Sequence, residues 1–186
     1  AVAAAGCDRF TVHARIAVLG GLSPKGNRTV PPLRYPEVYR LKAERPELCV
    51  EIDGGGRDLD AAATHLGAGV DAVMIGRAAY DDPFVFADAD RRFFGEVEAG
   101  PGRFEVARRF GEHAEAHLRA YPRRKASAVL RHVLGLFSGQ PGAREFRRIL
   151  SEASDERPPT VRIEAALEAV RRAHERQAEH RAAAGA

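Results

Sequence analysis

The sequence predicts an α/β region followed by an all-α region. Up to about Asp82, short apolar runs alternate with segments of helical periodicity, a pattern typical of strand and helix units around a parallel sheet. After Pro83 no strand pattern recurs, and a Pro and Gly cluster at residues 100–102 marks a boundary. The two later predicted strands both end in glycine-rich turns. We therefore expect two domains, at residues 1–100 and 101–186.

The first predicted domain consists of strand, loop, helix, strand, helix and strand in that order. Its strands are predicted at residues 10–13, 49–53 and 72–75. A helix over residues 37–44 precedes the second strand and ends before Pro46, which does not continue a helix easily. Apolar residues at helical spacing predict another helix over residues 59–66, stopped by glycines. The last two strands and the helix between them form a βαβ unit.

The second predicted domain has apolar residues at every third or fourth position, which indicates helices that bury one face. The predicted helices cover residues 104–121, 129–137, 143–150 and 161–179. Pro122 separates the first two of them. We expect this domain to be all-α.

Composition excludes several classes of protein. The 186 residues are 45% hydrophobic and 30% charged, a mixture typical of a globular chain. Cys7 and Cys49 both lie in apolar stretches, so neither a disulfide framework nor a metal-ligand cluster is indicated. No apolar run approaches the roughly 20 residues that span a bilayer. We therefore expect a soluble, cytoplasmic protein that binds neither a metal nor a membrane. The sequence leaves the oligomeric state open, with a monomer favoured.

Glycines follow both later strands, as Asp53-Gly54-Gly55 and as Gly76-Arg77. Glycine lets the backbone approach a ligand, and the start of a following helix favours an anion. In (β/α)₈ barrels the loops after the last two strands, with a short extra helix, often form a phosphate site. Either turn alone is equally compatible with an ordinary tight turn. Together they favour the C-terminal part of a TIM barrel over a dinucleotide-binding fold, whose Gly-x-Gly-x-x-Gly motif does not occur here.

Positive charge is concentrated in the helical region. Between Arg119 and Arg148 the chain has eight Lys or Arg residues and a single acid, Glu145, so this segment carries +7 in a chain of net +3. Arg144 and Arg147 lie three residues apart, on one face of a predicted helix. The competing interpretation is a solvated helix face, but like charges at this density favour a polyanionic partner.

The remaining histidines carry no comparable signal. The residues concerned are His113, His117, His132 and His174. Their spacing with the carboxylates does not form a metal-binding pattern, so we interpret them as surface or packing residues.

Several ordered segments resemble the A subfamily of tRNA-dihydrouridine synthases, from near Ala1 to about Ser151. The segments are Val12-His13-Ala14-Arg15, Leu22-Ser23-Pro24-Lys25-Gly26-Asn27-Arg28, Pro32-Leu33-Arg34-Tyr35, Gly76-Arg77-Ala78-Ala79-Tyr80, Leu134-Gly135-Leu136-Phe137 and Pro141-Gly142-Ala143-Arg144. Each segment alone is weak support, whereas the ordered set is specific.

This resemblance implies an FMN-binding TIM barrel followed by a helical domain that binds tRNA. In that family reduced FMN, recharged by NADPH, gives a hydride to a uracil ring and a cysteine supplies the proton, so that uridine becomes 5,6-dihydrouridine. Since the sequence starts at Ala1 rather than a methionine and contains only three barrel strands, we expect a fragment. The catalytic cysteine is expected outside this chain, and Cys7, which precedes the first strand, is interpreted as structural.

The resemblance also assigns roles to residues. Those implied to bind the cofactor are His13, Arg15, Asp53, Gly54, Gly55, Gly76 and Arg77. Those implied to bind tRNA are Lys25 and Arg28 in the long loop, with Arg144 and Arg147 in the helical domain. Asp53 departs from the family, where asparagine is usual. Its carboxylate is unfavourable beside a phosphate unless it points away or accepts backbone N–H bonds.

Two other functions remain open from the sequence. One is another FMN-binding TIM-barrel oxidoreductase that acts on a small molecule, although this leaves the basic helical domain without a role. The other is a catalytically incomplete tRNA-binding fragment, because three strands cannot close a barrel and leave an open sheet edge.

Overall fold

A computed structural model of the protein describes residues 1–152 and 156–185. The chain divides into two compact units, Ala1–Ala78 and Ala79–Ala186, called here the N-terminal and C-terminal units. This division precedes the sequence-predicted boundary between residues 100 and 101.

The position of the division has a local cause. Arg103 donates a hydrogen bond to the Asp82 carboxylate at 3.1 Å, and its guanidinium lies 4.1 Å from the centre of the Phe84 ring. These contacts tie the segment after Asp81 to the first long helix of the C-terminal unit. The Pro and Gly cluster at residues 100–102 is therefore a turn within that unit.

Three parallel strands form the sheet of the N-terminal unit. They are β1 (Arg9–His13), β2 (Cys49–Asp53) and β3 (Ala72–Met74), in the spatial order β1-β2-β3. The three strands predicted from the sequence are confirmed to within one residue at each end. In register, His13 lies beside Asp53, and Asp53 lies beside Met74. The carboxyl ends of all three strands thus meet at one edge of the sheet.

The central strand carries the core of this unit. Val50 and Ile52 are at most 1% exposed, and they alternate with half-buried residues along β2. Alternate side chains of a strand point to opposite faces, so one face of β2 is fully covered. Val38 from the preceding helix and Val70 from the loop before β3 pack into the same apolar cluster.

Helices connect the strands of the N-terminal unit. They are α1 (Pro24–Asn27), α2 (Tyr35–Glu44), α3 (Leu59–Gly67) and α4 (Arg77–Asp81), the last of which runs into the C-terminal unit. The short helix α1 occupies a segment that the sequence predicted as loop. Ser23 caps it by accepting a hydrogen bond from the Gly26 backbone N–H at 3.0 Å, and Pro24 occupies the first helical position.

Within its described residues the C-terminal unit contains helices and turns only. The α-helices that follow are α5 (Ala89–Phe93), α6 (Arg103–Ala120), α7 (Ala126–Leu130), α8 (Ala143–Ser151) and α9 (Pro159–Ala184). The predicted helix over residues 129–137 is wrong, because α7 ends at Leu130 and a 3₁₀ turn, Arg131–Val133, follows. Gly135 lies so close to the Asp81 carbonyl that a Cβ would overlap it. This close approach places Leu136 in the core from a turn rather than from a helix.

An aromatic cluster fills the core of the C-terminal unit. The Phe137 ring lies 5.3 Å from Phe104 and 4.7 Å from Phe146, in edge-on and tilted arrangements that aromatic pairs favour. Leu150 and Leu167, at most 1% exposed, belong to the same cluster. Helices α6, α8 and α9 are joined through it.

Arg162 is a buried arginine in α9, 1% exposed. Its guanidinium donates hydrogen bonds to the carbonyls of Leu150 and Glu152, each at 2.8 Å. The last carbonyls of a helix have no partner within the helix. Arg162 therefore completes the end of α8, a role that the sequence did not indicate.

Candidate functional site

The carboxyl ends of β1 and β2 bring two predicted cofactor residues together. His13 Nδ1 and Asp53 Oδ2 are 2.7 Å apart, and both side chains remain partly exposed. An ionised carboxylate only accepts hydrogen bonds, so Nδ1 carries the proton and Nε2 is left for a ligand. The Asp53 carboxylate thus has a hydrogen-bond partner in His13, and its place beside a bound phosphate stays a prediction.

Gly54 and Gly55 continue directly from Asp53 with φ values of +113° and +77°. Side chains other than glycine rarely adopt this region. A Cβ on Gly55 would lie 2.5 Å from the Tyr35 hydroxyl and 2.7 Å from Leu33 Cδ1, so a larger residue would displace at least one of these side chains. The positive φ angle adds backbone strain to any such substitution.

Tyr35 holds this turn from the side of α2. Its hydroxyl donates a hydrogen bond to the Gly54 carbonyl at 2.9 Å. Its ring packs edge-on against His65 of α3, with ring centres 4.5 Å apart. Tyr35 lies in the segment Pro32-Leu33-Arg34-Tyr35, and the resemblance assigns it no role. The one sequence feature that could have pointed to Tyr35 is its position just before the predicted helix over residues 37–44.

His65 is the buried titratable group behind this turn. Only 5% of the residue is exposed, and a hydrogen bond of 2.7 Å joins its Nδ1 to the Tyr39 hydroxyl. Burial lowers the pKa of His65, because a low-dielectric surrounding disfavours the charged imidazole. His65 therefore serves as a neutral packing partner for the two tyrosines of α2.

The helix after the turn has a cap of its own. Asp58 accepts a hydrogen bond from the Ala61 backbone N–H at 2.8 Å, which satisfies one free donor at the start of α3. The anion-binding capacity expected of this strand end is thus carried by the glycine turn more than by the helix start.

The second glycine turn is more open. A Cβ on Gly76 would make only an ordinary contact, 3.6 Å from Met74 Cε. Arg77 begins α4 with an exposed side chain, and one of its guanidinium nitrogens donates to the Arg28 carbonyl at 3.1 Å. Two predicted binding residues, Arg28 and Arg77, are thereby brought together.

Arg15 lies beside His13 but turns toward the long loop. Its guanidinium donates a hydrogen bond to the Pro31 carbonyl, and it lines a small cleft together with His13, Arg34 and Glu37. Its Nε is buried without a hydrogen-bond partner among the described residues. The observed contact restrains the loop, and a role in cofactor binding stays a prediction.

The predicted tRNA-binding residues lie on both units. Lys25 lies within α1 and Arg28 caps the end of that helix, with both side chains at least partly exposed. Arg144 and Arg147 are likewise accessible residues of α8. Each of the four side chains is thus accessible on its own unit, and the predicted helix that carries Arg144 and Arg147 is confirmed.

Other kinds of site are not present in the described part of the chain. No group of three or more His, Cys, Asp or Glu side chains is arranged there to hold a metal ion. No helix in the same residues has the length and apolarity needed to cross a membrane. Cys7 and Cys49 are both free thiols.

Comparison with known proteins gives consistent matches. A family model described as dihydrouridine synthase matches residues 1–174. A tRNA-dihydrouridine(20/20a) synthase of Synechocystis sp. is 49% identical over 153 residues, which is 82% of this chain and 45% of that protein. Proteins of the same name from Shewanella oneidensis and Escherichia coli K12 are 46% and 44% identical, over 81% and 78% of this chain. The chain spans less than half the length of these relatives.

Proposed function

The chain belongs to the dihydrouridine synthase family, and from this premise we propose that it is part of an enzyme that reduces uridine to 5,6-dihydrouridine in tRNA. The proposed cofactor is FMN, with NADPH as the reductant. We assign residues 1–100 to the C-terminal part of the FMN-binding TIM barrel and residues 101–186 to a helical tRNA-binding domain, so the barrel assignment extends beyond the compact unit Ala1–Ala78. The protein acts as a monomer in the cytoplasm, where its tRNA substrate is found.

The glycine turn after β2 is the observation that carries this proposal. Gly54 and Gly55 have positive φ angles, and a Cβ on Gly55 would press on the Tyr35 and Leu33 side chains. A turn of this kind offers backbone N–H groups to a phosphate at close range. The Asp53 carboxylate has its hydrogen-bond partner in His13 rather than in the glycine turn. The residues therefore fit the phosphate of a flavin mononucleotide.

The other predicted residues surround the same edge of the sheet. His13 presents Nε2 to the flavin, since Nδ1 is held by Asp53. Gly76 and Arg77 form the second phosphate turn, in which Arg77 contributes a positive charge. Arg15 lies next to His13 and fixes the long loop through Pro31.

Bound flavin supplies the hydride for the uracil ring. The residues of this chain position the cofactor and the RNA rather than donate the proton, because the expected cysteine acid lies outside this chain. Lys25 and Arg28 orient the RNA from the long loop. Arg144 and Arg147 hold its phosphates from α8, in the segment that carries +7.

Flavin retention by the full-length protein tests the role of the glycine turn. Gly55→Ala introduces a Cβ at a crowded, positive-φ position, so we expect purified protein to lose most of its bound flavin absorbance. The matched control is Gly69→Ala, which has φ of +97° but open space around the Cβ position. The control should retain flavin while losing a comparable amount of backbone stability. Equal flavin content in both variants would contradict the proposed phosphate turn.

A further inference from the structure

A cleft on the C-terminal unit, called here the histidine cleft, lies outside the residues assigned above. Its lining includes Phe110, His113, His117, Arg124, Val129 and His132, and it encloses about 420 Å³. Ligand pockets commonly measure roughly 300–1,000 Å³. The cleft is therefore large enough for one planar ring system with its attached groups.

A ladder of aromatic rings forms one wall of the histidine cleft. Phe110, His113, His117 and Tyr121 follow one another at three- and four-residue spacing along α6 and its cap, so they share one face of the helix. Successive ring centres are 6.4, 6.2 and 4.7 Å apart. The ladder passes from half-buried Phe110 to exposed Tyr121, which is 57% accessible. Phe110 packs against the core at the base of the ladder, and His113 and His117 line the cleft with rings that a ligand can reach.

The lining of the cleft also includes another imidazole and a guanidinium. His132 meets the ring of Tyr80 edge-on at 5.9 Å, and both side chains are exposed. Arg124 belongs to the turn between α6 and α7, and its side chain is also exposed. These groups combine flat aromatic surface with positive charge.

The electrostatic surroundings of the histidine cleft are basic. Its described lining residues include Arg124 and three histidines but no carboxylate. Between Glu115 and Glu145 the sequence contains no Asp or Glu but six Lys or Arg residues. This distribution of charge favours an anionic ligand.

Aromatic rings with arginine match one ligand chemistry in particular. Unpaired nucleotides are bound by stacking on His, Tyr or Phe rings and on arginine, while the phosphate meets a positive charge. Bases within an RNA duplex are not accessible for such stacking. An acidic peptide would use the positive charge but would leave the ring ladder without a partner.

We propose that the histidine cleft binds one unpaired nucleotide of the RNA substrate, with its base stacked against His113 and His117 and its phosphate beside Arg124. This inference rests on the proposed function, and it adds a base-binding position to the phosphate contacts assigned to α8. The cleft then distinguishes RNA with an extruded or single-stranded nucleotide from a continuous duplex.

Binding of labelled oligoribonucleotides to the full-length protein tests this inference. His117→Ala should weaken binding of a short single-stranded oligonucleotide on the order of ten-fold, as expected for one lost stacking partner. His117→Phe keeps a ring and should restore most of the affinity. Binding of a duplex of the same sequence should change little in either variant. Fluorescence anisotropy at fixed salt measures all of these affinities.

Arg147→Ala is the matched comparison, because a contact with a phosphate does not distinguish paired from unpaired bases. It should weaken single-stranded and duplex binding alike and reduce the salt slope by about one contact. The inference is overturned if His117→Ala leaves single-stranded binding unchanged, or if an acidic peptide displaces the oligonucleotide from wild-type protein but not from His117→Ala. Dihydrouridine formation by wild-type protein, measured separately, shows whether such a failure concerns the cleft alone or the proposed function.

Discussion

His65 shows how one buried side chain links the stability of the N-terminal unit to pH. Burial lowers its pKa below the ordinary value of about 6.5. As the pH falls, the unfolded chain therefore binds a proton at this position at a higher pH than the folded chain does. Stability contributed by neutral His65 is complete above about pH 6.5 and is lost as the pH falls toward the folded-state pKa.

The lowered pKa of His65 predicts that the stabilities of wild-type protein and His65→Gln depend differently on pH. The free energy of unfolding of wild-type protein should fall between about pH 7.5 and 5.5 by more than that of the variant, in which no imidazole titrates at this position. Urea unfolding at several pH values measures the difference. If both proteins lose stability equally over this range, His65 is not held neutral by burial.

Residue contacts across the site were only partly predictable. The sequence predicted the turn at Gly54 and Gly55, because two glycines directly after a strand indicate backbone angles that other residues rarely adopt. It left the direction of the Asp53 carboxylate open, since the hydrogen bond to His13 depends on strand register across 40 positions of the chain. The contact of Tyr35 with Gly54 joins a helix start to a turn, and no periodicity in the sequence encodes such a contact.

At the scale of elements, the end of α8 depends on a side chain of α9. Arg162 supplies the donors that the Leu150 and Glu152 carbonyls require. Arg162→Met should destabilise the C-terminal unit by about 2–4 kcal/mol, because the buried Leu150 carbonyl would lose its partner and the substitution alters a fully buried position. Chemical unfolding of the full-length protein, followed by circular dichroism, measures this cost.

Arg176→Ala provides the control for this prediction. Arg176 is exposed on the same helix, and a surface substitution of this kind usually changes stability by less than about 0.5 kcal/mol. Similar stabilities for the Arg162 and Arg176 variants would show that the carbonyls of α8 find other partners.

Periodicity predicted the long elements better than the short ones. The helix α6 lies within one residue of its predicted limits, because its 18 residues provide about five turns of consistent spacing. The helix predicted over residues 129–137 failed because the apolar residues from Leu134 to Phe137 enter the core from a turn. A short apolar run fits both arrangements, and only the close approach of Gly135 to Asp81 distinguishes them. The short helix α1 was missed since its signal is one capping serine and one proline.

At the scale of the whole molecule, positive charge is distributed unevenly along the chain. Net charge is only +3, yet +7 falls between Arg119 and Arg148, so positive charge is concentrated in one segment of the C-terminal unit. The sheet described here has three strands, and a family relative is more than twice as long as the matched region. The uneven charge was predictable from the sequence by counting residues. The division of the chain at residue 78 was not, because it depends on contacts of Phe84 and Arg103.

We propose above all that this chain contributes the glycine turn after β2, as a flavin-binding element, and the RNA-binding surface of a uridine-reducing enzyme. Incubation of the full-length protein with FMN, NADPH and unmodified tRNA, followed by mass spectrometry of the digested nucleosides, tests it most directly. We predict a uridine that gains two hydrogens and a loss of this product in Gly55→Ala. Wild-type protein that binds flavin and tRNA but forms no dihydrouridine would contradict the claim.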